Sequence, residues 1–422
     1  STKIYSQQTT NLHDHRNLFK AFMNLSNKQR MTKLIFAERM NRLGTETAFE
    51  VLARAKALET QGREIIHLEI GEPDFDTPQN VKEAAIKALN EGYTHYVPSA
   101  GISELREAIA EYISESRGID VDPDEVVVTP GAKPILFFSI IACVNPGEEV
   151  MYPDPGFPVY ESMTRFVGAK PVPLQLKEEN DFRLDPNELG DKLTDKTKMI
   201  ILNSPQNPTG SVLTKQDLEA IAECVARKDD LLVLSDEVYC KILYEGKHES
   251  ISSIPGMKER TILVDGFSKT YAMTGWRIGY GVMRKDLAQL VTRLIVNSTS
   301  CVCAFIQRAA VEALKGPQED TKRMVEEFKK RRDVIVSGLN SIDGISCRTP
   351  KGAFYVFPNT KAFGVDSQRL ADVLLNEAGV ATLSGNSFGQ YGEGYLRFSY
   401  ANSIENIKKA INRISAVLSR IR

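Results

Sequence analysis

The chain has 422 residues, 42% of them hydrophobic and 26% charged, with a formal net charge of −2. That length exceeds one ordinary domain, so two packed units are expected, and the composition is that of a soluble globular protein. Near-neutral charge argues against nucleic acid or an anionic membrane as partner, and no apolar run approaches the ~18–20 residues of a membrane span.

The six cysteines include no Cys-x-x-Cys pair, and Cys301-Val-Cys303 is not a usual zinc spacing. With five scattered histidines, no metal centre is expected; reduced, packed thiols suit a cytoplasmic compartment. Residues 1–30 differ from the rest. They are rich in Asn, Gln, Ser and Thr and carry Lys3, Arg16, Lys20, Lys28 and Arg30 against the single acid Asp14. No signal-peptide apolar core is present. This polar extension reads as an organelle transit peptide or, equally, as an expression leader or upstream extension, because Met31 resembles a natural start. His13 and His15 within it are read as solvated, with a metal site as the alternative.

Phe49, Leu52, Ala53 and Leu58 predict an amphipathic helix over 45–58. Ile65, Ile66, Leu68 and Ile70 predict a strand that runs into Gly71-Glu-Pro-Asp-Phe-Asp-Thr-Pro78, where Gly71 permits close backbone approach and Pro73 stiffens the turn. A helix over 81–90 is followed by the segment from Tyr93 to Gly101. Ser103 then caps a helix with Leu105, Ala108, Ile109 and Tyr112 on one face. The valine-rich strand 125–129 leads into Pro130-Gly131-Ala132-Lys133 and an apolar helix containing Leu136, Phe137, Ile140 and Ile141. Strand, glycine turn and helix N-terminus form an anion cradle, because free N–H groups and the positive end of the helix dipole favour phosphate.

Further strands are predicted over 149–152, ending in Pro153-Asp-Pro-Gly-Phe157, and over 199–203, ending in Ser204-Pro-Gln-Asn-Pro-Thr-Gly210. The prolines make the second loop rigid, and Asn207 in it is either a donor to a phenolate oxygen or the head of an Asx turn. Thr214-x-x-Asp217 resembles a capping box ahead of a helix whose Leu218, Ile221, Ala222 and Val225 share a face. The strand 231–234 ends in Ser235-Asp236-Glu237-Val238-Tyr239. A carboxylate at the tip of a buried strand is costly unless paired, so Asp236 is either the partner of a cation or a helix cap.

The next strand, 261–264, ends in Asp265-Gly266, and Lys269 follows between Ser268 and Thr270. A lysine on a loop at the end of a buried strand is partly desolvated, which lowers its pKa and frees an amine nucleophile; the alternative is a solvated surface lysine. Ser268, and Arg277 eight positions beyond Lys269, suit a phosphate. Together they suggest a lysine that forms a Schiff base with a phosphorylated aldehyde, the arrangement pyridoxal phosphate needs. Asp236 stands 33 residues before Lys269, about one βαβ unit, which puts both at neighbouring strand ends on one edge of a sheet, where open α/β folds bind ligands. Beyond Gly279 come a strand over 280–283, a helix over 285–295, a boundary at Gly316-Pro317 and a charged helix over 319–339. A strand over 352–357, a helix near 370–377, an alternating strand over 395–400 that holds Arg397, and a terminal helix over 404–418 complete the chain.

The run Gly266-Phe-Ser-Lys-x-x-Ala-Met-x-Gly-x-Arg277-Ile-Gly279 resembles the lysine-attachment signature of class I and II aminotransferases, the fold-type I pyridoxal-phosphate enzymes. The resemblance covers about residues 31–422. It implies an α/β fold: a large domain over 76–316 with a mostly parallel seven-stranded sheet sandwiched by helices, and a smaller α+β domain made of 31–75 and 317–422. It also implies that Lys269 anchors the cofactor and acts as base, that Asp236 keeps the pyridine nitrogen protonated, and that Tyr239 shares the phenolic oxygen with Asn207. Gly131, Ala132 and Lys133 would form the phosphate loop with Ser268 and Arg277. Tyr96, otherwise a core residue, would reach the phosphate of a partner subunit, which implies a homodimer with shared sites. Phe157 would lie flat against the ring, where its alternative is a core aromatic.

On the same resemblance, Gly71 borders the substrate carboxylate, Asn207 touches it and Arg397 clamps it bidentately; a surface salt bridge is the alternative for Arg397. Lys133 has a second reading, pointing into the substrate pocket to meet a distal carboxylate, which Glu46 would oppose. The implied activity moves an amino group between an L-amino acid and a 2-oxo acid, with aspartate or an aromatic amino acid as donor and 2-oxoglutarate as acceptor. Other reactions on the same scaffold are the alternatives: a C–S lyase, a cyclopropane-carboxylate synthase-like reaction or a decarboxylation. An aminotransferase-like regulatory protein is a further one.

Overall fold

Apolar runs bounded by turn residues become the strands of a seven-stranded sheet in the computed structural model, which describes residues 36–421. The polar segment 1–30, with His13 and His15, and Met31 lie outside the described residues. Residues 1–41 and 42–422 form two units, and the described part of the first contains the start of a 3-10 turn, Glu38–Arg42. In the second unit a short β1 (Ile66–His67) comes first. The sheet itself is made of β2 (Val126–Thr129), β3 (Glu149–Asp154), β4 (Lys170–Gln175), β5 (Thr197–Asn203), β6 (Leu232–Asp236), β7 (Thr261–Gly266) and β8 (Gly279–Val282). Their order is β2-β8-β7-β6-β5-β3-β4. β8 is antiparallel to both neighbours, and every other pairing is parallel.

Successive strand residues point to opposite faces. Val127, Ile262 and Val264 therefore join one core with the helices Lys133–Cys143 and Lys285–Val296. Val126, Val128 and Leu263 join another with the helices Ser103–Arg117 and Ala304–Lys315. With both faces covered, the strands read as continuous apolar runs, which is why most were legible. The expected mostly parallel, helix-sandwiched sheet is present. Its edge strand β4, which carries Pro171 and Pro173, was not among the expected strands. The prolines are tolerated there because β4 pairs only with β3, so a missing N–H on its open side breaks no ladder.

The remaining strands are short: β9 (Tyr355–Val356), β10 (Val380–Ala381), β11 (Leu383–Ser384) and β12 (Leu396–Ser399). β11, β12 and β9 form an antiparallel sheet, and β1 pairs in parallel with β10. Two-residue strands such as β10 and β11 carry too little alternation to be read from sequence. One core unites Ile66 and Leu68 with Phe328 and Leu339 of the helix Glu319–Asn340 and with Ile407 and Ile414 of the terminal helix Ile404–Leu418. Within it Phe328 stacks on Phe354 with ring centroids 5.0 Å apart.

Several local expectations are corrected. The first α-helix is Thr47–Thr60, and its buried residue is Ala55, packed on Ile65, Leu375 and Ala381. Of the expected stripe, Leu58 packs against that core and Leu52 is half-buried, whereas Phe49 and Ala53 are exposed because the core meets only one flank of the stripe. Ser103 is the first helical residue and makes no cap bond; the N-cap is Ile102, whose N–H donates to Gln307 Oε1 at 2.8 Å. Glu125 does not begin a strand but closes a capping box with Asp122. The Thr214–Asp217 capping box is present as read. The helix Ala304–Lys315 went unread, and the helix expected near 370–377 is Ser367–Val373 continued by a π turn, Leu374–Ala378.

Candidate active site

β5, β6 and β7 run parallel and end at one edge of the sheet, with Asn203 opposite Asp236 and Asp236 opposite Val264. The loop after β7 brings Lys269 to that same edge. A cavity of about 510 Å³ opens there. It is lined by every residue the sequence reading singled out for the site except Gly131 and Tyr96. Gly131 stands just behind the lining: a Cβ there would lie 2.2 Å from Arg277 Nη2, so the glycine lets the guanidinium close over the turn. Tyr96 is 88% exposed, so it is not a core residue, and it does not line this cavity.

Lys269 is half-buried, and its amine donates to the Gly71 carbonyl. Burial pulls its pKa down to about 8; the Arg397, Lys133 and Arg277 cations act in the same direction, and the Glu72 carboxylate opposes them. This is the nucleophilic, not the solvated, kind of lysine. Gly71 has a steric reason to be glycine, since a Cβ would lie 2.0 Å from the Tyr355 hydroxyl. Asp236 is buried and accepts from the Tyr160 hydroxyl at 2.7 Å and from the Val238 N–H at 3.4 Å. Burial pushes its carboxyl up to about 6, helped by Asp265 and Glu237 and opposed by those two donors. It caps no α-helix, and among the described residues no ion pair is formed by it.

Arg397 is buried, so the surface salt bridge is excluded. Its guanidinium lies 4.6 Å from the Tyr355 ring centroid and 4.9 Å from that of Phe388. Nη1 donates to Asn207 Oδ1 at 3.1 Å, Nη2 donates to the Glu69 carbonyl, and Nε has no partner. Asn207 thus spends its side-chain oxygen on Arg397 rather than on an Asx turn. The loop is held instead by Asn203, whose Oδ1 accepts from the Asn207 N–H at 2.9 Å. Tyr239 meets Tyr355, hydroxyl to hydroxyl, at 2.7 Å. Phe157 sits edge-on to Tyr160, centroids 5.7 Å apart. Arg277 holds the turn by donating to the carbonyls of Thr274 at 2.9 Å and Pro130 at 3.4 Å. Lys133 turns into the cavity, 5.4 Å from the Phe157 centroid, and pairs with Glu46.

The family model for class I and II aminotransferases matches residues 63–414. The chain belongs to that family. The aminotransferase is 43% identical over 391 residues to the aspartate aminotransferase of Pyrococcus horikoshii, covering 92% of this chain and 98% of that one. It is 44% identical over 358 residues to the aromatic-amino-acid aminotransferase 2 of Thermococcus litoralis, covering 84% and 92%. Its fold matches the solved aspartate aminotransferase from Thermus thermophilus with maleate at a TM-score of 0.87, with 39% identity and coverage of 91% and 100%. Among the aminotransferase's described residues, no helix is long and apolar enough to cross a membrane.

Sequence reasoning missed Tyr160, Tyr355 and Asn203 as lining residues. Only Tyr160 had a signal, three positions after Phe157, and nothing local said that it faces Asp236. Tyr160→Phe removes a hydrogen bond to a carboxylate, a change of about 1.5–3 kcal/mol, or about one to two pH units of carboxyl pKa. Infrared titration of the Asp236 carboxyl in the cofactor-free chain should show its midpoint displaced upward from about 6. An unmoved midpoint would mean that the Tyr160 hydroxyl does not set the charge of Asp236.

Proposed function

We infer that the protein is a pyridoxal 5′-phosphate-dependent aminotransferase that takes aspartate or an aromatic amino acid as donor and 2-oxoglutarate as acceptor. The observation that carries this reading is the meeting in one cavity of a lysine with depressed pKa, a buried carboxylate and a buried arginine whose Nε has no partner. The names of the Pyrococcus and Thermococcus relatives, one aspartate and one aromatic, support the choice of donors.

The residues fit the cofactor. Asp236 is a buried anion in want of a cation, which the pyridinium nitrogen would be. The N–H groups of the turn at Gly131, Ala132 and Lys133, with Ser268 and Arg277, would hold the phosphate. Phe157 would lie against the ring, and Asn207 and Tyr239 would share the phenolic oxygen. When bound, the cofactor supplies an aldehyde carbon for the substrate amine and a ring that draws electrons from Cα. Lys269, with a pKa of about 8, serves as base for the Cα proton and as acid in returning it one carbon away. Arg397 offers its fork to the substrate α-carboxylate, with Asn207 beside it and Gly71 at the border.

Tyr96, exposed and outside the lining of its own cavity, is in keeping with a homodimer whose partners complete each other's phosphate sites. A large domain over 76–316 and a small domain of 31–75 with 317–422 agree with the core that joins Ile66 and Leu68 to the C-terminal helices. Six unpaired cysteines suit a reducing, cytoplasmic setting. The test is a coupled assay of the holoenzyme with 2-oxoglutarate over a panel of amino donors. Glutamate should form fastest with aspartate or an aromatic donor. Ammonia and pyruvate, with no glutamate, would instead mean an elimination.

A further inference from the structure

The rim of the cavity holds a carboxylate whose position no structural duty explains. Glu46 is the N-cap of the helix Thr47–Thr60, yet its side chain makes no cap bond. It reaches into the cavity and pairs with Lys133, at the start of the helix Lys133–Cys143, 87 residues away. The Glu46 side chain is 22% exposed and that of Lys133 45%, so both remain within reach of a ligand that enters from solvent. The Glu46 carboxylate is also close enough to raise the pKa of Tyr355 and to oppose the lowering of that of Arg397. It therefore stands in the field of two cations: Lys133 at the mouth and Arg397 in the interior.

The segment that carries Glu46 is itself fastened. The Gly44 N–H donates to Ser162 Oγ at 2.8 Å, and Arg42 Nη2 donates to the Phe166 carbonyl at 3.4 Å. Both anchors lie on the helix Val159–Phe166, which also bears Tyr160, the donor to Asp236. The strap of residues 42–46 thus delivers one carboxylate to one place in the cavity mouth.

We propose that Glu46 is a specificity-determining residue: it occupies Lys133 as an internal carboxylate, and a substrate side-chain carboxylate must displace it to use that cation. With the pair intact, the distal end of the cavity carries no net charge from Lys133 and accepts a neutral aromatic side chain beside Phe157. With an acidic substrate, Lys133 exchanges Glu46 for the ligand, and Glu46 returns to water. One cavity thereby takes both classes, at the cost of weaker binding for the acidic one. The proposal rests on the aminotransferase reading only in calling the ligands substrates.

Holoenzyme carrying Glu46→Gln tests it. The KM for aspartate should fall roughly fivefold, the range of an exposed ion pair, while the KM for an aromatic donor should not fall, because the freed Lys133 charge offers a neutral side chain nothing. In a Lys133→Met background the same Glu46 change should no longer favour aspartate. Calorimetric binding of succinate against butyrate gives a readout that needs no turnover: Glu46→Gln should tighten succinate roughly fivefold and should not tighten butyrate. Equal changes for both ligand classes, or a gain for aspartate that survives in Lys133→Met, would overturn the proposal. Wild-type enzyme that turns over no amino acid, with succinate still tightened by Glu46→Gln, would refute the reaction and leave the competition standing. Because Glu46 makes no cap bond, the variant should lose only the ion pair with Lys133, and its Tm should fall only slightly.

Discussion

Lys269→Ala should lower kcat/KM for amino transfer by about 10⁴-fold, the upper range for loss of a positioned acid–base group. Two properties of the lysine would vanish together: an amine for the cofactor aldehyde and a base for the Cα proton. Lys269→Arg is the sharper control. It keeps the positive charge near Gly71, but a guanidinium is not deprotonated in proteins and supplies neither function. Both variants should also lose the absorbance of lysine-bound cofactor while keeping the fold. Retention of that band in Lys269→Ala would mean that another amine is the anchor.

The depressed pKa gives a test that needs no cofactor. Acylation of Lys269 in the cofactor-free chain should rise with pH around a midpoint of about 8, against 10.5 for an ordinary lysine. Between those two values the unfolded chain binds more protons at this site than the folded one, so its contribution to stability grows as pH rises from about 8 to 10.5. Asp236 behaves differently. Its folded pKa is raised from 3.8 to about 6, so the folded chain binds the extra proton, and stability from this group is lost as pH climbs through that window. A bound cation at Asp236 would remove this loss, so adding cofactor should stabilise the protein more at pH 7 than at pH 4.

Arg397→Lys should raise the KM of every amino donor and every oxo acid by about 100-fold, within the 2–5 kcal/mol typical of truncating a buried charge contact. A lysine keeps the charge but loses the planar fork that matches a carboxylate. It would also leave Asn207 Oδ1 and the Glu69 carbonyl, both served now by Arg397, short of a donor. The α-carboxylate is common to all the substrates, so the penalty should not depend on side chain. That separates Arg397 from Glu46 and Lys133, whose variants should change only the ratio between acidic and neutral substrates. Steady-state kinetics with aspartate and an aromatic donor decide the matter: a penalty confined to aspartate would assign Arg397 to the distal end.

Much of the architecture was written in short-range pattern. Buried parallel strands are continuous apolar runs, and their ends at Asp236 and Gly266 fall where a polar residue or glycine follows such a run. β4 escaped because an edge position, which excuses its prolines, is a property of the whole sheet. Ser103 misled because a hydroxyl before an apolar repeat looks like a cap, whereas the first-turn N–H groups of Leu105 and Arg106 donate to the Ile102 carbonyl. Phe49 misled because which side of an amphipathic helix is buried depends on what packs against it.

By itself the sequence determined the strand-ended sheet, the lysine with its phosphate-binding neighbours, and the carboxylate one βαβ unit before it. Tertiary structure alone decided what those residues touch. Tyr160 meets Asp236 across 76 residues, Glu46 meets Lys133 across 87, and Arg397 meets Asn207 across 190. Helical and strand periodicity couples residues only about two to four positions apart. Contacts at the larger separations arise from packing, when helices laid on the two faces of one sheet bring remote side chains to its edge.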